Sequence, residues 1–203
     1  MTRPLIHMRL ADLMSHPRVY RAWQAPFAHS KLQPFLASVD LSRVHRVLDI
    51  GCGPGTNAPY FSKVDYTGVD ISEDYVADAK ARHHRDFRVG DATELDTLGL
   101  VPADVILINS LLHHLDDAQV DRALDGAARL LTADGSIHIL DLVLPPHPSP
   151  SRWLARMDRG LHARPVEAWR RIFSRHFAVQ AFEPYMLGGA LWSMVYFRGQ
   201  ARI

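Results

Sequence analysis

The run Val47-Leu48-Asp49-Ile50-Gly51-Cys52-Gly53-Pro54-Gly55 constrains this chain more than any other stretch. An apolar strand that runs straight into three glycines is how an open α/β sheet makes room for a nucleotide. Spacing decides which nucleotide. A dinucleotide fingerprint has glycine at its first, third and sixth positions, whereas Gly51, Gly53 and Gly55 fill the first, third and fifth, with Thr56 at the sixth. A phosphate cradle also needs successive backbone N–H groups aimed at the anion. Pro54, in the middle of the loop, has none to offer. No Lys-Ser or Lys-Thr pair follows, which removes a P-loop. What remains is a loop whose backbone comes close to a ligand without phosphates, preceded by an acid, Asp49, that could face a cationic group.

Two further acids follow at informative positions. Tyr66 to Ile71 reads as a short second strand ending in Asp70, about 20 residues after the glycine loop, where a carboxylate accepts ribose hydroxyls. Ile71 is then placed for the adenine face. Phe87 to Ala92 repeats the pattern and puts Asp91 at the tip of a third strand, in position to accept from an adenine amino group. S-adenosylmethionine, with a cationic amino group, a carboxylate, a ribose, an adenine and no phosphate, meets all of these conditions.

On these residues the chain resembles the class I S-adenosylmethionine-dependent methyltransferases, in the small-molecule branch whose first motif reads VLDIGCGPG. The resemblance runs from about Leu41 to the C-terminus and covers the first forty residues poorly. Its most specific parts are Val47 to Gly55, Val69 to Ile71, Gly90 to Ala92 and Asn109 to Leu115. It implies that Gly51 and Gly53 lie against the methionine moiety, that Asp70 holds the ribose, and that Asp91 with Ala92 reads the adenine. It also implies that Asn109 and Ser110, after the fourth strand, meet the methionine end.

Composition agrees with a single domain. The chain has 203 residues, 47% hydrophobic and 22% charged, enough for one good core and without the bias of disordered or fibrous proteins. With a net charge of +1 and no block of Lys or Arg, nothing argues for nucleic acid or a membrane surface as partner. One cysteine allows no internal disulfide and, with no apolar stretch of spanning length and no signal peptide, points to the cytoplasm. Oligomeric state is not legible.

Strand and helix alternate as a parallel, Rossmann-like doubly wound sheet demands. Strands are expected at Arg46 to Ile50, Tyr66 to Val69, Phe87 to Val89, Asp104 to Ile108 and Ser136 to Leu140. Helices fit Thr56 to Lys63, Glu73 to His83, Ala118 to Leu131 and Pro165 to Arg175, with a turn at Asp134-Gly135. Strands near Phe177 to Pro184 and Leu191 to Arg198 close the chain. The resemblance implies a seven-stranded, mostly parallel sheet with an antiparallel last strand inserted beside the sixth and helices on both faces. Three parts are expected within the domain: residues 1–40 as an N-terminal helical cap, 41–143 as the cofactor-binding half, and 144–203 as the substrate-side segment with the closing strands.

Acceptor specificity should lie outside the sheet. Val19, Tyr20, Trp23, Phe27, Leu32, Phe35 and Leu36 recur at helical spacing before the first strand. The Pro-rich loop with His147, followed by Trp153, leaves the sheet just after the fifth strand, beside the cleft. Tyr20, Trp23, His147 and Trp153 are therefore candidate substrate contacts, or plain packing covers. Methyl transfer asks little of a protein beyond alignment, exclusion of water and, for some acceptors, removal of a proton. Candidates for the base are His113 and His114 after the fourth strand, Asp141 at the end of the fifth, and His147. Adjacent histidines on a helical turn point about 100° apart, so one of the pair faces the cleft; bonding the local backbone is the alternative role for either.

No tight set of metal ligands is visible. His138 lies an odd number of positions before Asp141 in the fifth strand, so alternation turns it to the other face. The site is read as metal-free, and Cys52 as a small packing residue of the glycine loop. Asn109-Ser110-Leu111-Leu112 departs from the Asn-Pro-Pro-Tyr tetrad of amide and exocyclic-amine methylases, and the flanking aromatics suit an apolar small metabolite, with oxygen as the favoured atom. Two alternatives stand beside this reading. One is a protein of the same fold that keeps the cofactor without transferring methyl, as a cyclase, a rearrangement enzyme or a sensor. The other is a nicotinamide oxidoreductase, disfavoured by Pro54 and Thr56.

Overall fold

Val105 to Ile108 is apolar without a break, and Val47, Leu48 and Ile50 leave only Asp49 between them. Such runs suit strands covered on both faces. In the computed structural model, which describes residues 27–158 and 160–202 together with Pro17 and Val19, both runs become central strands of a seven-stranded sheet. The strands are β1 Arg46–Ile50, β2 Asp65–Asp70, β3 Asp86–Val89, β4 Ala103–Asn109, β5 Leu131–Leu142, β6 Phe177–Leu187 and β7 Trp192–Ala201. Their order is β3-β2-β1-β4-β5-β7-β6. The first five pair in parallel, and β7 runs antiparallel between β5 and β6. This is the sheet the sequence led us to expect.

Five helices complete the described architecture: α1 Ala28–Ser38, α2 Glu73–His83, α3 Asp117–Arg129, α4 Pro150–Met157 and α5 Val166–His176. Alternation along the strands sends side chains to two cores. Leu48, Ile50, Ile106 and Ile108 pack against Val120 and Leu124 of α3 and Trp169 and Phe173 of α5. Val47, Val105 and Leu107 pack on the other face against Leu32 and Phe35 of α1 and Val76 and Ala79 of α2. Each fully buried side chain of this size contributes about 1.5–3 kcal/mol, which makes α1 an integral layer rather than a loose flap. Side chains start the helices. Ser72 accepts from the Tyr75 N–H at the head of α2, Ser149 from Arg152 at the head of α4, and Asp116 with Gln119 forms a reciprocal capping box on α3.

Three boundaries differ from the sequence reading. The helix expected over Thr56 to Lys63 shortens to a single 3-10 turn, Ala58–Phe61. Pro59 has no N–H for the ladder, and only a few residues separate the glycine loop from β2. The fifth strand begins at Leu131 rather than Ser136. The pairing jumps from Ala103 opposite Leu131 to Val105 opposite Ser136, so Asp134 and Gly135, expected as a turn, lie in an irregularity within β5. The last two strands also run longer than expected and are joined through Gly188 and Gly189, both at positive φ.

Among the described residues no helix is long and apolar enough to cross a membrane. Of the expected N-terminal cap, α1 is described; Tyr20 and Trp23 lie outside the described residues. From β1 the sheet proceeds to β2 and β3 on one side and to β4 and β5 on the other. The carboxyl ends of β1 and β4 therefore flank the switch point, where sheets of this kind open a crevice.

Candidate functional site

The glycine loop is pinned at the end of β1 by its own backbone. The N–H groups of Gly51 and Cys52 both donate to the Val69 carbonyl of β2, at 2.8 and 3.0 Å. Gly51 has φ +75°, and a Cβ there would stand 2.9 Å from the Leu111 side chain in the loop after β4. Conformation and space both call for glycine at that position. Gly53 donates its N–H to Asp70 Oδ2 at 2.8 Å, and Ser72 donates to Asp70 Oδ1 at 2.9 Å. The carboxylate at the tip of β2 thus holds the loop from β1 and begins α2.

Asp49 has a different place from the one the sequence suggested. It is fully buried beneath the loop, where Oδ2 accepts from the Tyr66 hydroxyl at 2.8 Å and from Asn57 Nδ2 at 3.1 Å. Oδ1 is buried without a hydrogen-bond partner among the described residues. Burial pushes the Asp49 carboxyl up to about 6, against the lowering effect of the Tyr66 and Asn57 bonds. Asn57 in turn accepts from Asn109 Nδ2 at 3.3 Å. Asp49 therefore reaches the cleft through Asn57 and Asn109, not by facing a ligand itself.

The cleft above this floor opens to solvent. Gly51, Gly53, Thr56, Asn57 and Asn109 line one part of it, and Ala28 and Lys31 of α1 stand across. Ser110, next to Asn109, holds φ +60° while its N–H donates to the Leu140 carbonyl at 2.8 Å. A non-glycine residue held in that region at a strand end marks local strain next to the cleft. At the tip of β3, Asp91 Oδ1 accepts from both the N–H and the hydroxyl of Thr93, each at 2.8 Å. Ala92 packs against the core, and Ile71, beside Asp70, is 69% exposed. An apolar side chain that open is not a core residue.

Three of the four candidates for a base come together, but in an arrangement that corrects two of them. His113 is buried between two carboxylates: Nδ1 faces Asp141 Oδ1 at 2.6 Å and Nε2 faces Asp158 Oδ1 at 3.1 Å. Burial works against the charged imidazole, yet Asp141 and then Asp158 outweigh it and raise His113 to about 9. The two carboxylates favour the charged imidazole, and with both ring nitrogens turned to them His113 presents neither to an acceptor. Asp141 is fully buried and also accepts from the N–H groups of Leu112 and Leu142. With its oxygens so occupied it does not face an acceptor. The cluster ties the loop after β4 to the end of β5 and to the segment after α4, where His162 N–H donates to the His113 carbonyl at 3.0 Å. Gly160 is packed so closely there that a Cβ would lie 2.1 Å from His113 Cδ2.

His114 lies against His113, with ring centroids 4.2 Å apart. His113, His114 and Asp158 bring donor atoms within 4.8 Å of one another, although each His113 nitrogen already faces a carboxylate oxygen. His138, as alternation required, turns to the α1 face, where it bonds Ser136 and Tyr196. His147 and Trp153 are exposed, and neither is among the residues that line the cleft. Sequence reasoning missed Asn57, Asp158 and Lys31. Lys31 left one signal: it shares the buried side of α1 with Leu32 and Phe35, where a lysine is out of place.

A family model described as a methyltransferase domain matches residues 47–135. The chain is 30% identical to the phenazine O-methyltransferase PhzM of Lysobacter antibioticus, over 87% of this chain and 56% of that protein. It spans about half the length of the curated relatives it matches. Human N-acetylserotonin methyltransferase, solved in complex with SAM, superimposes with a TM-score of 0.69 at 20% identity, over 91% of this chain and 55% of that one. The mitomycin 7-O-methyltransferase MmcR does so with a TM-score of 0.69 at 20% identity, over 93% and 60%. At that identity the two structures establish a common fold.

Proposed function

We propose that the chain is a class I S-adenosylmethionine-dependent methyltransferase, as its matches to a methyltransferase domain and to PhzM support, and that it binds S-adenosylmethionine at the switch point and methylates a small molecule, on oxygen. The observation that carries this reading is the Asp70 carboxylate, which accepts from the Ser72 N–H and from the N–H of Gly53, a residue that lines the cleft. The oxygen atom is favoured because two of the similar proteins, PhzM and MmcR, are named O-methyltransferases.

The residues present fit the cofactor. The loop has no side chain at Gly51 or Gly53 and, at Pro54, no N–H for a phosphate. Asp70 would accept the ribose hydroxyls with oxygens already oriented by two N–H donors. Asp91, whose bonds from Thr93 fall on Oδ1, keeps Oδ2 for the adenine amino group, with Ala92 beside it and Ile71 against the ring. Asn109 and Ser110 border the methionine end, and Asp49 supports them through Asn57. When bound, the cofactor supplies a methyl group activated by a sulfonium whose sulfur leaves as a neutral thioether.

The protein's own task is then to hold an acceptor oxygen in line, at about 3 Å from the methyl carbon, and to keep water away. His113 and Asp141 serve this as positioning residues, since their pairing fixes the loop that carries Asn109 to His114. His114 is the member of the pair left to accept a proton from an acceptor that has one to lose. Tyr20, Trp23, His147 and Trp153 stay as proposed acceptor contacts from the segments around the cleft. The single cysteine is free and buried, the usage of a reducing compartment such as the cytoplasm, where we place the protein.

Incubation with S-adenosylmethionine and a panel of phenolic and other hydroxylated small molecules tests this. Formation of S-adenosylhomocysteine together with a methylated product is the expected result. Tight cofactor binding with no S-adenosylhomocysteine formed under any acceptor would favour the non-methylating cyclase or sensor instead.

A further inference from the structure

Lys31 is the one charged side chain among the described residues that line the cleft. It is 9% exposed, and its backbone is fixed from two sides: its N–H donates to the Phe27 carbonyl at 2.8 Å, and its carbonyl accepts from the Tyr185 hydroxyl of β6 at 2.9 Å. Its neighbours Leu32 and Phe35 are fully buried. Lys31 thus lines, from an anchored helix, the same cleft as Gly51, Gly53 and Asn109. A second polar group faces the same space: Thr56 Oγ1 is buried without a hydrogen-bond partner among the described residues.

We propose that Lys31, reaching from α1 across the cleft to the glycine loop, binds the carboxylate at the amino-acid end of the cofactor, with the Thr56 hydroxyl as a second donor. This assignment rests on the cofactor proposed above and adds what that reading lacked, a partner for the ligand's anionic end. The glycine loop itself offers no side chain, and Asp49, Asp70 and Asp91 are all of the wrong sign for a carboxylate. A cation held in a partly dry cleft makes a stronger charge-assisted bond than one in water. Burial lowers the Lys31 ammonium from 10.5 to about 8, against the pull of Asp158 and Asp141, and an arriving carboxylate moves it back up. α1 then does more than cover the sheet. It completes the cofactor site from the side opposite the strand tips.

Calorimetry with two ligands separates this role from the others. S-adenosylhomocysteine carries the carboxylate, and its decarboxylated counterpart, a thioether of adenosine with a 3-aminopropyl chain, does not. The unsubstituted protein should bind the second roughly 10- to 100-fold more weakly than the first, the loss expected for one charge-assisted bond. Lys31→Met should weaken S-adenosylhomocysteine by a similar factor and leave the decarboxylated ligand unchanged, which also shows that the variant is folded. Equal binding of the two ligands by the unsubstituted protein would overturn the assignment even if the variant cannot be produced. Equal losses for both ligands in Lys31→Met would overturn it too, by showing that the lysine holds the fold. If S-adenosylhomocysteine binds to neither protein, the cofactor itself is wrong and Lys31 falls with it.

Discussion

The two sides of the cleft are built by different means. On the β1–β3 side, the ligand-facing surface is backbone and short side chains: Gly51 and Gly53, and two carboxylates whose bonds come from residues two positions on or from the adjoining loop. On the β4–β5 side the surface rests on a buried ionic cluster, His113 with Asp141 and Asp158, that joins residues 28 and 45 positions apart in the chain. The first construction joins residues 2 and 17 positions apart and, in the reading proposed above, turns its carboxylates to the ligand. The second is long-range and turns its polar groups inward. Damage on the first side should therefore appear as lost affinity, and damage on the second as lost stability.

The sharpest way to break this contrast is Asp141→Ala. Removing one member of a buried ionic cluster costs about 3–5 kcal/mol, because the remaining charges lose their compensation. Urea unfolding should report that loss, while the folded protein keeps its affinity for S-adenosylhomocysteine within a few-fold. Asp70→Ala should do the reverse. Losing the ribose acceptor and the anchor of the Gly53 N–H should weaken S-adenosylhomocysteine roughly 100-fold by calorimetry, with a smaller change in unfolding. A variant that loses both properties equally would erase the distinction.

The ionic cluster also gives stability a pH dependence of definite sign. His113 titrates near 6.5 in an unfolded chain but at about 9 in the fold. Its contribution is thus complete below about pH 6.5 and is lost as pH rises through about 9. Lys31, lowered to about 8, acts in the opposite sense above that pH. The difference between the unsubstituted protein and His113→Gln isolates the effect, and it should shrink steadily from pH 6.5 to 9 in denaturant unfolding. The smallest effect is expected from Gly51→Ala, which meets Leu111 and a positive φ at once. It should cost about 1–2 kcal/mol of stability and a comparable share of cofactor affinity, since both sides of the cleft touch at that point.

The same division governs what the sequence disclosed. The succession of strands along the chain, the glycine loop and the acids at the strand tips were legible because each is a short-range pattern: an apolar run, a turn, a carboxylate. Asp49 was misread for lack of context. Nothing in the run Val47 to Ile50 says that Tyr66 and Asn57 will take that carboxylate from below. Two of the base candidates, His113 and Asp141, were misplaced for a similar reason. His113 and Asp141 are the right residue types for proton transfer, but the segment after α4 that supplies Asp158, and with it the second bond to His113, is distant in sequence. Lys31 was hidden in plain sight, a charged residue on the apolar stripe of α1, where pattern counting reads the apolar members and passes over the exception.

Everything turns on the ligand for which the cleft is shaped. Titrating the purified protein by calorimetry with S-adenosylhomocysteine, and separately with NADH, puts that to the most direct test. The glycine spacing, Pro54 in the loop and the placement of Asp70 call for saturable heat with S-adenosylhomocysteine and none with NADH. Saturation by NADH, with no heat from the sulfur nucleoside, would contradict it.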